Sequence, residues 1–378
     1  MTFALLQGAR PDGPRRGRFT TAHGAFETPC FAPCATAGSI KGLWPEQVAD
    51  AGAELILGNT YHLALRPGAE LIRSAGGLHR FMDWSGPILT DSGGYQVFSL
   101  AGRRRIDADG VRFAGADSGA ELHLTPRSAL EIQRDLGSDV AMVLDECPPH
   151  DADDAALVAA NQRTLTWART ARDIHENWGG AARGQSVFGI VQGGQRRELR
   201  EACAAELVRL DFDGYAIGGV SVGESKAAMH AVVSFCTPQL PADRIRYLMG
   251  VGDPDDIFRG VLAGVDMFDC VSPTRHGRNN LVYVRDGHLR MKNSRHRADF
   301  GPLDEKCGCP TCRRFSRAYV RHLALAKEMM AGILQSLHNI WFLEELVRSL
   351  RQRIEQGESD ASLRAWFANE YPGWRAPR

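Results

Sequence analysis

Short apolar runs, each ending at a polar residue or a glycine, alternate along the chain with segments of helical periodicity. Continuous apolar runs of this length are typical of strands that are covered on both faces, as in a parallel sheet. Seven such units, with an eighth strand expected near 281–284, predict an α/β fold, namely a (β/α)8 TIM-like barrel. A doubly wound sheet is the alternative architecture. The seven runs end near Asn59, Asp91, Asp145, Gln192, Gly218, Gly250 and Asp269.

Polar residues at several predicted strand ends form the first candidate site. Barrel enzymes build their active sites at the carboxyl ends of the strands, so Asp91, Asp145, Gln192 and Asp269 are expected to converge on one mouth. Asp91 follows the buried run "PILT", and a core rejects an unpaired charge. A lone aspartate at a strand end is more often a helix cap or an ion-pair partner, which is the alternative interpretation.

Glycine pairs beside these positions indicate a planar ligand. The pairs at 93–94, 193–194 and 218–219 let backbone N–H groups approach a ligand closely. Tyr95 and Met249 offer faces on which a base could stack. Two carboxylates that flank a glycosidic bond can supply a nucleophile and a proton-transfer group. The residues alone do not indicate which aspartate attacks.

A cluster of three cysteines predicts a metal site. Cys307, Cys309 and Cys312 lie in "KCGCPTC", and His338 follows after 25 intervening residues. Three thiolates and one imidazole complete a closed tetrahedral site, for which Zn²⁺ is the favoured ion. We therefore expect one structural Zn²⁺ per chain. His322 is the alternative fourth ligand, and three ordinary thiols are the alternative to a metal site.

Positive charge is concentrated in one stretch of a chain whose formal net charge is zero. Residues 275–327 carry thirteen Lys or Arg residues and four acidic ones. Beside a metal site, such a stretch is typical of a surface that binds the phosphates of a nucleic acid. A solvated positive face is the alternative.

The composition is that of an ordinary globular protein, with 44% hydrophobic and 24% charged residues among 378. No apolar run approaches the ~18 residues of a membrane span, and the amino terminus lacks a secretory pattern. Six of the nine cysteines are scattered, which favours a reducing compartment over a disulfide framework. We expect a cytoplasmic protein with no membrane partner.

Seven motifs, all in order, resemble one enzyme family. They are "TDSGGYQVFSL", "DEC", "VQGG", "GYAIGGVSVGES", "YLMGVGDP", "DMFDCVSPTR" and the Cys-x-Cys-x2-Cys…His set. Together they resemble the bacterial tRNA-guanine transglycosylases, also called queuine tRNA-ribosyltransferases. The resemblance implies an irregular (β/α)8 barrel with a zinc subdomain. It also implies exchange of the wobble guanine of GUN-anticodon tRNAs (Asp, Asn, His and Tyr tRNAs) for a 7-deazaguanine in queuosine biosynthesis.

The resemblance implies roles for single residues. Asp269 would be the nucleophile that forms a covalent ribosyl-aspartate intermediate, and Asp91 the general acid/base. Arg275 and Arg278 would contact the tRNA. The implied substrate-binding residues are Ser92, Tyr95, Asp145, Cys147, Gln192, Gly219, Val220 and Met249. Among them Asp145, Gln192 and the Gly219 amide would read the edge of the base, while the Tyr95 and Met249 side chains would sandwich it.

Two residues bear on which base is inserted. Val222 would narrow the pocket, and Cys147 matches the bacterial pattern, so we expect 7-aminomethyl-7-deazaguanine (preQ1). A main-chain carbonyl near Val220, assisted by Glu224, would meet the aminomethyl cation. The alternative is that Val222 only packs the barrel.

The chain departs from the family pattern at three positions. Asn280 stands where Gly is usual, Cys34 where Val is common and Val220 where Leu is frequent. None of the three is expected to touch the carboxylates. A noncatalytic tRNA-binding relative is the alternative function, but the presence of all three aspartates favours an enzyme.

The predicted organisation has four parts. An antiparallel flap (1–40) precedes the barrel core (41–285), which is followed by a zinc-binding subdomain (286–345) and a C-terminal helix completing the barrel (346–378). By resemblance the protein is expected to be a homodimer.

Overall fold

The computed structural model describes residues 1–8, 10, 12–94, 102, 104–113 and 121–374. Among these residues the strands are β1 (Thr2–Gly8), β2 (Arg15–Thr21), β3 (Gly24–Thr28), β4 (Cys30–Ala35), β5 (Ile56–Gly58), β6 (Ile88–Thr90), β7 (Arg104–Ile106), β8 (Val111–Phe113), β9 (Leu122–Leu124), β10 (Val140–Met142), β11 (Ser186–Val191), β12 (Gly214–Ile217), β13 (Ile245–Leu248), β14 (Met267–Cys270), β15 (Leu281–Val284) and β16 (Gly287–Arg290).

The α-helices of the described residues alternate with the barrel strands and then close the chain. They are α1 (Pro45–Asp50), α2 (Thr60–Leu65), α3 (Ala69–Ser74), α4 (Gly77–Met82), α5 (Pro126–Leu136), α6 (Asp154–Asn177), α7 (Arg197–Arg209), α8 (Lys226–Cys236), α9 (Pro254–Leu262), α10 (Ser272–Arg278), α11 (Pro310–Arg314), α12 (Arg317–Ala326), α13 (Met329–Glu355) and α14 (Asp360–Glu370). No helix in this part of the chain combines the length and hydropathy needed to span a bilayer.

Eight parallel strands close into a barrel, in the order β4, β5, β6, β10, β11, β12, β13 and β14. The closing pair is β14 with β4, in which Asp269 lies opposite Ala32. The barrel strands are buried along their whole length except at Cys270, the last residue of β14, as continuous apolar runs predict. The barrel prediction is therefore confirmed, and the doubly wound alternative is excluded.

The eighth strand is not where the sequence suggested. Residues 281–284 form β15, which pairs antiparallel with β16 in a separate hairpin. The strand that closes the barrel is β4, which lies within the segment expected to form the flap. Every residue of β4 is buried, because this strand has neighbours on both sides. The alternating pattern of β2 and β3 lies just before β4, and for this reason the sequence predicted that β4 belongs to the flap.

The expected antiparallel sheet is formed by β1, β2 and β3 at the amino-terminal end of the chain. A buried ion pair fixes it to the barrel, since the Arg15 guanidinium donates to Asp266 just before β14, with an Nε to Oδ1 distance of 2.8 Å. The same guanidinium donates to the carbonyl of Ala242. Bidentate pairs of this kind are geometrically specific, so the sheet is held in one orientation.

A second hydrophobic core lies outside the barrel, between the β15–β16 hairpin, α12 and the start of α13. It contains Val282, Leu303 and Val320 together with the three clustered cysteines. Farther along α13, Phe342 and Leu346 pack into the barrel core instead. One continuous helix therefore runs across the expected boundary at residue 345 and contributes to both cores.

Candidate active site at the mouth of the barrel

Asp269 stands near the end of β14 with its carboxylate buried in the barrel mouth. Its Oδ1 accepts hydrogen bonds from the Tyr247 hydroxyl at 2.5 Å and the Gly250 amide at 2.7 Å. The thiol of Cys34 donates to Oδ2 at 3.5 Å. Burial raises the pKa of Asp269, and these three donors act in the opposite direction. The carboxylate is thus fixed in place, and no cation among the described residues forms an ion pair with it.

Asp91 follows β6 immediately and is held by the start of α2. Its Oδ1 accepts the Thr60 amide at 2.8 Å, and the Asn59 side-chain amide donates to Oδ2. Burial raises the pKa of Asp91 to about 7, opposed by the Thr60 hydrogen bond and assisted by the charge of Asp269. A carboxyl group with a pKa near neutrality can give or take a proton at physiological pH.

Asp145 and Gln192 lie next to each other after β10 and β11. The Gln192 amide donates to Asp145 Oδ2 at 2.7 Å, and the Ser92 hydroxyl donates to Oδ1 at 2.8 Å. Burial raises the pKa of Asp145, while these two donors lower it. The buried Gln192 Oε1 has no hydrogen-bond partner among the described residues. A free acceptor beside a carboxylate suits the polar edge of a ligand.

Two of the glycines are required by close approaches to these side chains. A Cβ at Gly94 would lie 1.9 Å from Asp145 Oδ1, and a Cβ at Gly219 would lie 2.2 Å from Gln192 Oε1. Gly219 also has a φ of +62°, in the left-handed region that favours glycine. Gly94 and Gly219 therefore make room for the side chains of Asp145 and Gln192. From the sequence, the glycine pairs were expected to make room only for a ligand.

Arg200, on α7, is a residue that the sequence reasoning missed. It is fully buried, and its guanidinium donates to the carbonyls of Gly194 at 2.5 Å and Gly218 at 2.9 Å. It thereby joins the loops that follow β11 and β12. The helical stripe of "QRRELREACAAELVRL" marked the apolar side of α7, but it contained no signal for a buried arginine.

Three further expected pocket residues follow barrel strands at the same end of the barrel. Met249 follows β13 and is partly buried, whereas Val220 and Cys147 are buried. Burial raises the pKa of the Cys147 thiol to about 12, so this cysteine stays protonated near neutrality. Tyr95, the expected stacking partner of Met249, lies outside the described residues.

One of the three departures from the family pattern does touch a carboxylate. Cys34 contacts Asp269, so the expectation that these positions leave the carboxylates untouched was wrong. The error arose because β4 was read as part of the flap. Asn280 has a φ of +61°, a conformation that glycine adopts freely and that Asn tolerates better than most other residues. Val220 is buried, as expected of either Val or Leu.

The clustered cysteines and His338 form a compact metal-binding group. The His338 Nδ1 lies 3.7, 3.4 and 3.3 Å from the sulfurs of Cys307, Cys309 and Cys312. All four ligand atoms lie within 4.8 Å of one another, as they would around one ion. His322 is exposed and does not belong to the group. The cluster fits a tetrahedral site.

The orientation of His338 favours metal binding. Its Nε2 is 2.6 Å from the carbonyl of Tyr283, which can only accept, so Nε2 carries the proton. Nδ1 faces the three sulfurs and is the nitrogen that could bind a metal. A histidine ligand commonly donates its other N–H to a carbonyl in this way.

Arg275 and Arg278 lie on α10, which begins two residues after β14 and thus close to Asp269. Both are exposed and form no ion pair with a described residue. Other cations of the stretch are engaged within the protein. Arg285 pairs with Asp304, Glu345 and Glu370, and Arg317 pairs with Asp299 at 3.0 Å. Only part of the positive charge is therefore available to a partner.

An eight-stranded parallel barrel with buried carboxylates at the strand ends belongs to the class of barrel enzymes. Comparison with known proteins defines the family. The sequence pattern of the family described as queuine tRNA-ribosyltransferase matches residues 12–372. Proteins named queuine tRNA-ribosyltransferase from Solidesulfovibrio magneticus and Pelotomaculum thermopropionicum are 50% and 47% identical to the chain. The alignments cover 98% and 99%, respectively, of both partners. The chain belongs to the queuine tRNA-ribosyltransferase family.

Proposed function

We propose that the protein replaces guanine at the wobble position of GUN-anticodon tRNAs with preQ1, in queuosine biosynthesis. The observation that carries the proposal is the pair of carboxylates at the barrel mouth, the buried Asp269 and the partly buried Asp91, which come from different strands. Asp269 is fixed by three hydrogen-bond donors, whereas Asp91 has a pKa near neutrality. This division suits a nucleophile and a proton-transfer group.

The reaction follows from these two roles. Asp269 attacks C1′ of the wobble ribose, the C1′–N9 bond breaks, and its electron pair leaves with guanine, which is protonated by Asp91 or by a water that Asp91 controls. The incoming base then gives its N9 proton to Asp91, or to the water that Asp91 controls, and displaces Asp269 from C1′. Because each step inverts the configuration at C1′, the net result is retention.

The polar pair Asp145–Gln192 supports recognition of a purine-like base. The Asp145 carboxylate has about four lone-pair sites, and the Ser92 and Gln192 donors use two of them. The N–H groups on the edge of guanine or of a deazaguanine can therefore still donate to it. The unpartnered Gln192 Oε1 offers a further acceptor. A noncatalytic tRNA-binding protein would have no use for such a set of buried carboxylates.

The exchange itself is the test of the proposed function. A GUN-anticodon tRNA that carries radiolabelled guanine at the wobble position should release the label when enzyme and preQ1 are added. A matched tRNA with a different wobble base should not react. Retention of label in the GUN tRNA at full enzyme occupancy would overturn the proposal.

The loop at residues 221–224 supports preQ1 as the inserted base. Glu224 accepts hydrogen bonds from the backbone amides of Ser221 and Val222, so its charge is held beside Val220. An aminomethyl cation near the Val220 carbonyl would be within the field of this carboxylate. Val222 is partly buried, and in this proposal its methyl groups would occupy the space that a cyclopentenediol needs.

Replacement of Val222 with Gly should increase the use of queuine relative to preQ1. Overpacking in a filled pocket costs ~1–3 kcal/mol, which corresponds to a preference of roughly ten- to a hundredfold. Competition between radiolabelled preQ1 and unlabelled queuine measures this ratio. Equal use of both bases by the unmodified protein, or an unchanged ratio in Val222→Gly, would assign the specificity to other residues.

The rate of the first step should fall as the pH rises through about 7. Asp91 must carry a proton to protonate the leaving guanine, and burial raises its pKa to about 7. Single-turnover formation of the covalent adduct should therefore show a descending alkaline limb. In Asp91→Asn this limb should vanish, with a rate roughly 10²- to 10⁴-fold lower at pH 6. An alkaline limb that persists in the variant would assign it to another group.

We propose that the Cys3His cluster binds one structural Zn²⁺ per chain. Soft sulfur ligands and a closed set of four donors favour zinc over the harder divalent cations. Hydrogen bonds from the Cys307 and Cys312 thiols lower the pKa of Cys309, which favours the thiolate form that a metal ligand needs. The bound ion would cross-link the segment 307–312 to α13.

We also propose that Arg275 and Arg278 contact phosphates beside the wobble nucleotide. Charge reversal of both should weaken tRNA binding and reduce the slope of log affinity against log salt by about 1 per lost contact. Arg183→Glu is a matched control, since Arg183 is exposed and precedes β11, on the opposite side of the barrel from the mouth. Equal salt slopes for the unmodified protein, the double charge-reversal variant and Arg183→Glu would contradict the assignment. Arg317 is unsuitable for this test because it is paired with Asp299.

A homodimer is the proposed assembly. Exposed apolar side chains are concentrated at the junction of α12 and α13, where Leu325, Met329 and Met330 lie close in sequence. Grouped exposure of this kind is typical of an interaction surface. Sedimentation of the purified protein tests it.

A further inference from the structure

The two oxygens of the Asp269 carboxylate are held unequally. Oδ1 accepts a hydroxyl and an amide, from Tyr247 and Gly250, at 2.5 and 2.7 Å. The one described partner of Oδ2 is the Cys34 thiol at 3.5 Å. A thiol is a much weaker donor than either partner of Oδ1. More of the negative charge is therefore free for reaction at Oδ2.

We propose that Oδ2 is the atom of Asp269 that attacks the ribose, and that Cys34 is a positioning residue that holds this oxygen and moderates its reactivity. The inference rests on the proposed function, because it assumes that Asp269 is the nucleophile. It assigns to Cys34 a role that neither its position on a barrel strand nor its burial alone would suggest.

The register of the barrel explains why Cys34 reaches Oδ2. Asp269 lies opposite Ala32 in the β14–β4 pair, and side chains alternate between the two faces of a strand. Cys34 is two residues beyond Ala32, so it lies on the same face as Asp269 and one step closer to the mouth. Its thiol is buried, and burial raises its pKa well above the ordinary value, so it carries the proton it donates.

The thiol keeps its proton through both steps. In the first step Oδ2 forms a bond to C1′, the C1′–N9 bond breaks, and the electron pair leaves on the base, so the charge that the S–H group faces disappears. In the second step the bond from C1′ to Oδ2 breaks, and its electron pair returns to Oδ2, where the S–H group faces a full charge again. The hydrogen bond thus stabilises the free carboxylate and favours its departure.

Cys34→Val removes the donor at similar volume and tests this role. Because the Cys34 hydrogen bond lowers the pKa of Asp269, its loss should raise that pKa, and Asp269 should ionise only at a higher pH. The acid limb of single-turnover adduct formation should move up by roughly 0.5 pH unit, about threefold in rate on that limb. Release of the adduct by added base should slow by a similar factor. Cys34→Ser, which retains a donor, should return both values toward those of the unmodified protein.

Cys30→Val is the matched control. Cys30 is a buried cysteine on the same strand, but no hydrogen bond joins it to Asp269 among the described residues. It should leave the limb unchanged. Equal shifts in Cys34→Val and Cys34→Ser would indicate altered packing, and an unshifted limb in a folded Cys34→Val would also overturn the inference. By contrast, an adduct that persists in Asp269→Asn would overturn the proposed function.

Discussion

Asp269→Asn is expected to abolish base exchange, with a loss on the order of 10⁴-fold or more. A neutral amide has no nucleophilic oxygen of comparable strength, so no ribosyl adduct can form. The variant should still fold, because the Asn oxygen can accept the hydrogen bonds of Tyr247 and Gly250. Denaturing gels of enzyme mixed with tRNA and preQ1 should show an adduct for the unmodified protein only.

Asp50→Asn provides the control for this prediction. Asp50 is an exposed aspartate at the end of α1, so the same chemical change there should leave both the adduct and the exchange rate unaltered. Full exchange activity in Asp269→Asn would rule out this residue as the nucleophile. The role would then have to pass to another carboxylate of the mouth.

Loss of the metal is expected to have the largest effect on stability. Apparent binding free energies of structural zinc reach about 10–16 kcal/mol, comparable to the whole stability of an ordinary domain. His338→Ala should therefore lose the metal, lower the melting temperature and raise hydrogen exchange over residues 281–337. Elemental analysis should give about one zinc per chain in the unmodified protein and close to none in the variant.

His322→Ala separates the two candidate ligands. His322 is exposed and lies outside the cluster, so this variant should retain its zinc and its melting temperature. A zinc-free protein with unchanged stability would contradict a structural role for the metal. Zinc loss in His322→Ala, with retention in His338→Ala, would reverse the ligand assignment.

The ends of the barrel strands could be predicted because a strand that is buried on both faces is a continuous apolar run in the sequence. Runs such as "PILT" before Asp91 and "GIV" before Gln192 are apolar on both faces, and they stop where the barrel opens. The metal ligands were predictable for a similar reason, since three of them lie within six residues. Only the distant His338 required a choice, and the structure supports that choice.

The supporting residues could not be predicted, because their roles depend on neighbours that are distant in sequence. Arg200 is a charged residue on an amphipathic helix, and nothing nearby indicates that two loops meet at its guanidinium. Asn59 was recognised as a strand end, but its hydrogen bond to Asp91 depends on the alignment of β5 with β6. The contact between Cys34 and Asp269 was missed because it depends on the pairing of the first and last barrel strands, β4 and β14. No local pattern in the sequence specifies that pairing.

The long helix α13 ties the metal site to the barrel. Its early residues Ala331 and Leu334 pack with the clustered cysteines, whereas Phe342 and Leu346 pack in the barrel core. Asn339, between them, donates to the carbonyls of Pro273 and Leu281. A helix shared in this way couples the stability of the two cores, because melting of either core removes packing partners from the same helix. Truncation of the chain before α13 would therefore remove apolar side chains from the barrel core as well as from the metal site.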